Sequence, residues 1–120
     1  MKKNNYYMGH FAEKIALFYL ILKGYKPVAQ NYVTGLGTGA GEIDLIVKKA
    51  KTLIFVEVKK RKDLITSGEA IKPSSQKRLA RGAQAFLQKN PKYQNYQIRF
   101  DVVLFTKTLW PHHLKDAWRL

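Results

Sequence analysis

Apolar residues near the start of the chain recur every three to four positions, which is the period of an α-helix. The pattern extends from about Met8 to Lys23, and the glycine that follows it is a natural C-terminal cap. Residues 1–7 are basic and polar, so we expect them to be flexible. The apolar stripe of the predicted helix consists of Phe11, Ile15, Phe18 and Leu22, with Ala12, Ala16 and Tyr19 beside it.

Two short apolar runs in the middle of the chain predict a β-hairpin. Ile43–Val47 and Leu53–Val58 are rich in Ile, Val and Phe, and a short polar segment, residues 48–51, separates them. Runs of this length and composition with a short polar gap are typical of two paired strands. Carboxylates interrupt both runs, and a carboxylate in a buried strand is unfavourable unless another group pairs with it.

The predicted register brings these carboxylates to one face of the hairpin. With a two- or four-residue loop centred on residues 50–51, Asp44 lies opposite Glu57 and Glu42 lies opposite Lys59. Side chains that face each other across a ladder share one side of the sheet. A three-residue loop would shift the register by one residue and separate them. Two opposed carboxylates repel each other unless a cation or a proton lies between them.

The rest of the chain completes an α/β fold. Extended segments are predicted at Tyr25–Val33 and Tyr96–Phe105, a second helix at Pro73–Lys89, and a short C-terminal helix at Trp110–Trp118. In the order αβββαβ, the first three strands form an antiparallel meander, and the second helix crosses over so that the last strand lies parallel to the third. We therefore expect one domain, residues 1–120, with a mixed sheet and helices on its faces.

The charge of the chain indicates a polyanionic partner. The formal net charge is +14 over 120 residues, and such a field attracts nucleic acid. Cysteine is absent, which excludes disulfides and thiolate chemistry. No apolar run is long enough to span a membrane, and the start of the chain lacks a signal-peptide layout. We expect no membrane association and a cytoplasmic location.

The few acids are concentrated in the hairpin, where they predict a metal site. The chain has only eight Asp and Glu residues, and three of them are Glu42, Asp44 and Glu57. Mg²⁺ prefers oxygen ligands, so Asp44 and Glu57 are candidate ligands, with the backbone carbonyl of Val58 as a third. A bound metal would acidify a water molecule and stabilise charge on a scissile phosphate. Lys59 would position or deprotonate that water or neutralise the transition state, and these roles stay open.

Basic and polar residues in two further places are candidate nucleic-acid ligands. Cations at a helix N-terminus oppose the helix dipole, and a bound phosphate would relieve that conflict and use the free amides there. A solvated basic face is the simpler alternative. One group follows the hairpin and the other lies near the start of the second helix: Lys60, Arg61 and Lys62, and Gln76, Lys77, Arg78 and Arg81.

Several motifs of the chain resemble those of known nucleases. Asp44 followed by Glu57-Val58-Lys59 resembles the D…(D/E)xK signature of the PD-(D/E)xK nuclease superfamily. More narrowly, residues 41–46 (GEIDLI), 55–59 (FVEVK) and 99–103 (RFDVV) resemble the YraN-like family, which is also called uncharacterised protein family 0102. The resemblance covers roughly residues 9–118.

This resemblance implies a restriction-endonuclease-like fold and a metal-dependent site. Asp44 and Glu57 would be ligands of Mg²⁺ or Mn²⁺, and Lys59 would be the catalytic lysine. In related Holliday-junction resolvases a glutamate on the first helix joins the metal site, and Glu13 matches its position. An ordinary salt bridge at the start of the helix is the simpler alternative for Glu13. By analogy with resolvases, which cut two strands symmetrically, a homodimer is also implied.

Three functions remain open at this stage. The first is a divalent-metal-dependent endonuclease that acts on structured or branched DNA. The second is a non-catalytic nucleic-acid-binding protein on a nuclease-like scaffold. The third treats the acid–lysine cluster as structural ion pairs, with Glu42 holding Lys59. In the first case too, Glu42 is expected to support the lysine rather than to bind the metal. Asp101 is predicted to be a structural acid that pairs with a lysine or an arginine.

Overall fold

A five-stranded mixed sheet lies at the centre of the molecule and carries one helix on each face. The computed structural model describes residues 2–33, 42–61, 71–107 and 110–119, with side chains from residue 10 onward. In chain order the elements are α1 (Lys2–Leu22), β1 (Lys26–Val33), β2 (Glu42–Lys49), β3 (Thr52–Lys60), α2 (Pro73–Lys89), a 3₁₀ turn (Pro91–Tyr93), β4 (Gln97–Phe105) and β5 (His112–Trp118).

The sheet has the connectivity that the sequence predicts. Its strand order is β1-β2-β3-β4-β5. The first three strands form an antiparallel meander, and β4 lies parallel to β3 after the crossover through α2. The predicted α/β architecture with a mixed sheet is confirmed, and the order of its elements agrees with a restriction-endonuclease-like core. None of the helices in the described part of the chain is long and apolar enough to cross a membrane.

The predicted register of the β2–β3 hairpin is also confirmed. Lys49 pairs with Thr52 around a two-residue loop, and Ile46 pairs with Phe55. The first loop residue, Ala50, has a φ of +52°. A residue with a Cβ atom rarely adopts this left-handed conformation, because it brings the Cβ too close to the following carbonyl oxygen.

Helix α1 packs on the sheet through a different stripe from the predicted one. Phe11, Phe18 and Leu22 are 51%, 64% and 71% exposed, so most of the apolar stripe that the sequence indicates faces away from the core. This helix is apolar on two adjacent stripes, so periodicity alone does not show which of them faces the sheet. Small side chains allow a helix to approach a sheet closely, which favours the stripe with the alanines. The residues that it buries completely are Ala12, Ala16 and Leu20.

The C-terminal segment is a strand, and the predicted short C-terminal helix is wrong. Strand β5 pairs antiparallel with β4, where Phe100 lies opposite Trp118 and Val102 opposite Leu114. Leu114 and Trp118 are four residues apart, a spacing that places two side chains on one face of a helix and also on one face of a strand. The indole ring of Trp118 stacks on Phe100 with ring centroids 3.9 Å apart, which holds the segment against the sheet.

Helix α2 begins and ends where the sequence predicts. Pro73 occupies its first turn, and Leu79, Ala83 and Phe86 are buried against the sheet. The helix starts beyond the end of β3 and returns to the start of β4. Its N-terminal half therefore lies near the end of β3 that carries Glu57.

Candidate active site

Strands β2 and β3 separate at the place where the acids lie. Their described ladder ends at the pair Leu45–Val56. One step further on, the backbone N–H of Val58 donates a hydrogen bond to Asp44 Oδ2 at 2.9 Å. Ile43 packs in the cluster on the α2 side, whereas strict alternation would place it with Leu45 on the α1 side. The carboxylate of Asp44 therefore takes the place of a ladder acceptor between the two strands.

Asp44 and Glu57 form a pair that holds a proton. Glu57 is only 5% exposed. Burial, a hydrogen bond shared with Glu57 and the negative charge of Glu57 raise the pKa of Asp44 to about 8, against a smaller opposing effect of the Val58 N–H. At neutral pH the carboxyl group of Asp44 is accordingly protonated, because the opposed carboxylate of Glu57 disfavours a second negative charge.

Two cations contact the other side of Glu57. Lys59 Nζ lies 3.4 Å and Arg78 Nη2 lies 3.5 Å from Glu57 Oε2. Lys59 comes from the same strand, and Arg78 comes from the N-terminal half of α2. The structure thus brings Asp44, Glu57 and Lys59 together as predicted. It also adds Arg78, which the sequence indicated only as a nucleic-acid ligand.

The predicted pair between Glu42 and Lys59 is wrong. Lys59 pairs with Glu57 instead, because β2 and β3 separate before their ladder reaches residue 42. Glu42 lies opposite Val33 of β1, and its negative charge helps to raise the pKa of Glu13. The role of Glu42 as the residue that holds the lysine is therefore not supported by the geometry.

Glu13 reaches the site from helix α1. Burial is the largest cause that raises its pKa, and the charge of Glu42 adds to it. His10 Nδ1, at 3.9 Å from Oε1, and hydrogen bonds with Asn31 and Asp44 oppose that rise. Within the described residues, Glu13 Oε1 is buried without a hydrogen-bond partner. A buried acceptor with no donor is unfavourable and provides an open coordination position for a cation.

The donor set fits a hard divalent cation in its chemistry. Asp44, Glu57 and Glu13 supply carboxylate oxygens, which are the ligands that Mg²⁺ and Mn²⁺ prefer. Among the described residues, Glu13 Oε1 has no hydrogen-bond partner. In the described ranges, however, no three acidic or histidine side chains already stand close enough together to hold an ion. A cation would therefore replace the shared proton and draw the carboxylates together. Coordination by the Val58 carbonyl stays a prediction.

The predicted nucleic-acid ligands divide into three groups. Lys60, Lys77 and Arg81 are exposed, as a phosphate contact requires. Three others are engaged within the chain. Arg78 contacts Glu57, Arg61 Nη1 donates to Lys60 O at 2.7 Å, and Gln76 Nε2 donates to Ile71 O at 3.2 Å. Lys62 lies outside the described residues.

A second buried acid, Asp101, is part of a structural network. Arg99 contacts both of its oxygens, at 2.9 Å and 2.8 Å, and His113 Nε2 lies 2.7 Å from Oδ2. The backbone N–H of Asp116 donates to Oδ1 at 2.9 Å. Burial acts to raise the pKa of Asp101, but these hydrogen bonds outweigh it and the pKa is lowered. The prediction that Asp101 pairs with a lysine or an arginine is confirmed.

The sequence did not reveal one contact and one residue near the acids, the contact of Arg78 with Glu57 and the position of Asn31. The contact of Arg78 with Glu57 depends on the path of α2, and the sequence pattern of the helix does not reveal that path. Asn31 has a φ of +49° and hydrogen-bonds with Glu13. An asparagine in a strand is the only sequence signal at this position, because asparagine tolerates the left-handed conformation better than other residues with a Cβ atom.

Comparison with known proteins gives one consistent family. The sequence profile of Uncharacterised protein family UPF0102 matches residues 12–105. A UPF0102 protein of Parvibaculum lavamentivorans is 45% identical over 114 residues, which are 95% of this chain and 83% of that protein. A UPF0102 protein of Paramagnetospirillum magneticum is 40% identical over 93% of this chain and 87% of its own length. One of Nitrobacter winogradskyi is 35% identical over 98% of this chain and 97% of its own length.

Proposed function

This chain belongs to Uncharacterised protein family UPF0102, and from that premise and the geometry of its acidic site we propose that it is a divalent-metal-dependent endonuclease acting on DNA. The observation that carries the proposal is the convergence of Asp44, whose Oδ2 accepts from the N–H of Val58, with Glu57, which has Lys59 Nζ at 3.4 Å. Perturbed acids next to a cation are typical of catalytic sites. The resemblance to PD-(D/E)xK nucleases supports the same reading.

Each residue of the site has a role that follows from its position. Asp44, Glu57 and Glu13 would hold Mg²⁺ or Mn²⁺, which supplies an acidified water and stabilises charge on the phosphate. Lys59 lies beside Glu57 and would orient that water or neutralise the phosphate that it attacks. Arg78 contacts the same carboxylate from α2, so it would also contribute positive charge next to the phosphate.

The net charge supports a polyanionic substrate. A chain of this length with a charge of +14 concentrates nucleic acid around itself. The acids alone would repel a phosphate, so the site needs a cation before a substrate can approach. Branched or structured DNA, as in Holliday-junction resolvase-like enzymes, is the substrate that the resemblance favours.

One observation favours the alternative of a non-catalytic nucleic-acid-binding protein. In the described part of the chain, no three ligands are already arranged around an ion position, and Glu57 is already neutralised by Lys59 and Arg78. A titration of the protein with Mn²⁺ in a calorimeter distinguishes the two functions. Binding that disappears in Asp44→Asn supports the nuclease, whereas no binding in the free or the DNA-bound protein supports the alternative.

The direct test is cleavage of labelled DNA. A panel of duplex, single strand, flap and four-way junction is incubated with Mg²⁺, Mn²⁺ or a chelator. We expect cleavage only with metal, and a loss of roughly 100-fold or more in Asp44→Asn, Glu57→Gln and Lys59→Met. Asp116→Asn, prepared in the same way, is the matched control, because its exposed side chain pairs with Arg119 on the surface and not with a residue of the site. Cleavage that persists in all three site variants would refute the site assignment.

A further inference from the structure

Six lysines gather at the end of the sheet opposite the acids. They lie around the β2–β3 turn, on the junction of α1 with β1, and on the 3₁₀ turn before β4. Glu57 is five residues along β3 from Thr52 at the turn, which is about 17 Å at the usual rise of a strand. We call this group the lysine end; it consists of Lys23, Lys26, Lys48, Lys49, Lys51 and Lys92.

No carboxylate among the described residues neutralises the lysine end. Within the described residues, none of its six lysines forms an ion pair with a carboxylate. Five are exposed and Lys48 is half-buried. Lys26 and Lys48 are direct register partners across β1 and β2, and like charges that oppose each other across a ladder destabilise it. The fold therefore maintains a repulsive arrangement that a bound anion would relieve.

Tyrosine rings hold several of these ammonium groups in place. Tyr93 has Lys48 Nζ at 5.9 Å and Lys92 Nζ at 5.2 Å from its ring centroid. The ring centroid of Tyr96 lies 5.0 Å from that of Tyr93, and Lys51 Nζ lies 5.2 Å from the ring centroid of Tyr96. Such contacts restrict flexible lysines, and restricted side chains lose less entropy when they bind a ligand.

A similar arrangement continues on the α1 side of the hairpin. Lys49 Nζ donates to the carbonyl oxygen of Lys23 at 3.0 Å and lies 4.9 Å from the ring centroid of Tyr25. Lys23 in turn lies 5.4 Å from the ring of Tyr19. Because the last turn of a helix carries a partial negative charge, the C-terminus of α1 fixes Lys49. The lysine end thus extends over both faces of the hairpin.

We propose that the lysine end is a second nucleic-acid-binding surface, which contacts the phosphate backbone outside the acidic site. The ligand is the backbone and not the bases, because Tyr25 and Tyr93 are buried and their faces are not free for stacking. Binding there needs no metal and reads no sequence. A branched substrate that occupies the acidic site with one arm would reach the lysine end with another. The inference goes beyond the proposed hydrolysis and does not depend on it.

The experiment compares two variants with the same change in net charge. The first, Lys48→Gln/Lys49→Gln/Lys51→Gln, removes charge from the lysine end. The control, Lys14→Gln/Lys107→Gln/Lys115→Gln, removes three exposed lysines from other elements. Binding of a fluorescent DNA duplex is measured by anisotropy in a chelator across a range of salt concentrations, so that catalysis plays no part. Circular dichroism and the thermal transition establish that each variant is folded.

The expected result is a change in the salt dependence of binding. Each lost phosphate contact lowers the slope of log K against log salt by about 0.9, so the first variant should lose about 2 to 3 in slope and about 100-fold in affinity at ~0.1 M salt. The control should change both quantities much less, and Lys48→Arg/Lys49→Arg/Lys51→Arg should bind as the unmodified protein does. Equal losses in the glutamine variant and the control would overturn the proposal, because net charge alone would then explain binding. Unchanged DNA binding with lost binding to phosphatidylserine vesicles would also overturn it and would assign the surface to a membrane.

Discussion

Replacing Asp44 with Asn should stabilise the metal-free protein at high pH. Folding raises the pKa of Asp44 from 3.8 to about 8, so the folded state binds a proton more tightly than the unfolded state does. Stability is then greatest where Asp44 is protonated in both states, and it falls as pH rises between these two values. An asparagine has no charge to bury. In the unmodified protein the N–H of Val58 donates a hydrogen bond to Asp44 Oδ2 at 2.9 Å. The amide oxygen of the asparagine can accept the same hydrogen bond.

The size of the effect follows from the pKa of Asp44. One unit of pKa corresponds to ~1.4 kcal/mol of free energy, so the full interval gives an upper limit of about 6 kcal/mol at high pH. Because Asp44 lies against a second carboxylate, we take about half of this limit, roughly 3 kcal/mol, as the loss of stability between about pH 4 and about pH 9. Asp44→Asn should therefore be more stable than the unmodified protein by roughly 2 to 3 kcal/mol at about pH 9 and nearly equal to it at about pH 4.

The assay is urea unfolding in a chelator, followed by tryptophan fluorescence across this pH range. Other titrating groups also change stability with pH, so the informative quantity is the difference between the variant and the unmodified protein at each pH. Asp116→Asn is the control, because its exposed side chain should give a difference that does not vary with pH in this range. A difference for Asp44→Asn that is independent of pH, or that favours the unmodified protein at high pH, would refute the shared-proton arrangement.

Three further predictions test the fold. Asp101→Ala should lower the free energy of unfolding by about 3 to 5 kcal/mol in urea unfolding, because it leaves Arg99 and His113 without their carboxylate partner. Because the pKa of Asp101 is lowered, this stability is present above the ordinary pKa of an aspartate and is lost as pH falls through the folded value. A loss of less than about 1 kcal/mol would contradict the network. Leu20→Ala should lower the free energy of unfolding by about 2 to 4 kcal/mol in the urea assay, whereas Phe18→Ala should lower it by less than about 1 kcal/mol because Phe18 is mostly exposed. The reverse order would show that α1 is rotated. Ala50→Gly should raise the free energy of unfolding by up to about 1 kcal/mol in the same assay, since glycine adopts a positive φ without strain. A variant less stable than the unmodified protein would argue against the two-residue loop.

The hairpin was predictable because two local signals agree. The apolar runs place the strands, and the polar gap leaves room for one short loop, so the register of Ile46 with Phe55 follows from symmetry about the turn. That register also brings Asp44 close to Glu57. The pairing of Glu42 with Lys59 fails because it extends the ladder past the point where the strands separate. Nothing in an alternating pattern indicates where two strands stop pairing.

The two failures of the fold prediction have a common physical cause. A spacing of three or four residues shows which side chains share a face, but not what that face contacts. In α1 two apolar stripes compete, and the one with Ala12 and Ala16 lies against the sheet because it allows the closer approach. In the C-terminal segment the spacing of Leu114 and Trp118 suits a helix or a strand equally, and the free edge of β4 determines the outcome. Both depend on tertiary contacts that a local pattern does not contain.

The separation of charge along the sheet leads to a final prediction. The acidic end repels a phosphate until a cation is bound, whereas the lysine end attracts one at all times. DNA should therefore bind in a chelator through the lysine end, and a divalent ion should add a second contribution from the acidic site. Addition of Ca²⁺ should raise the affinity for DNA by a similar factor in the unmodified protein and in Lys48→Gln/Lys49→Gln/Lys51→Gln. It should not raise the affinity for DNA in Asp44→Asn. Because the two ends are about 17 Å apart along β3, the two effects should be additive in free energy. A rise that disappears in the lysine variant would show instead that both contributions come from one surface.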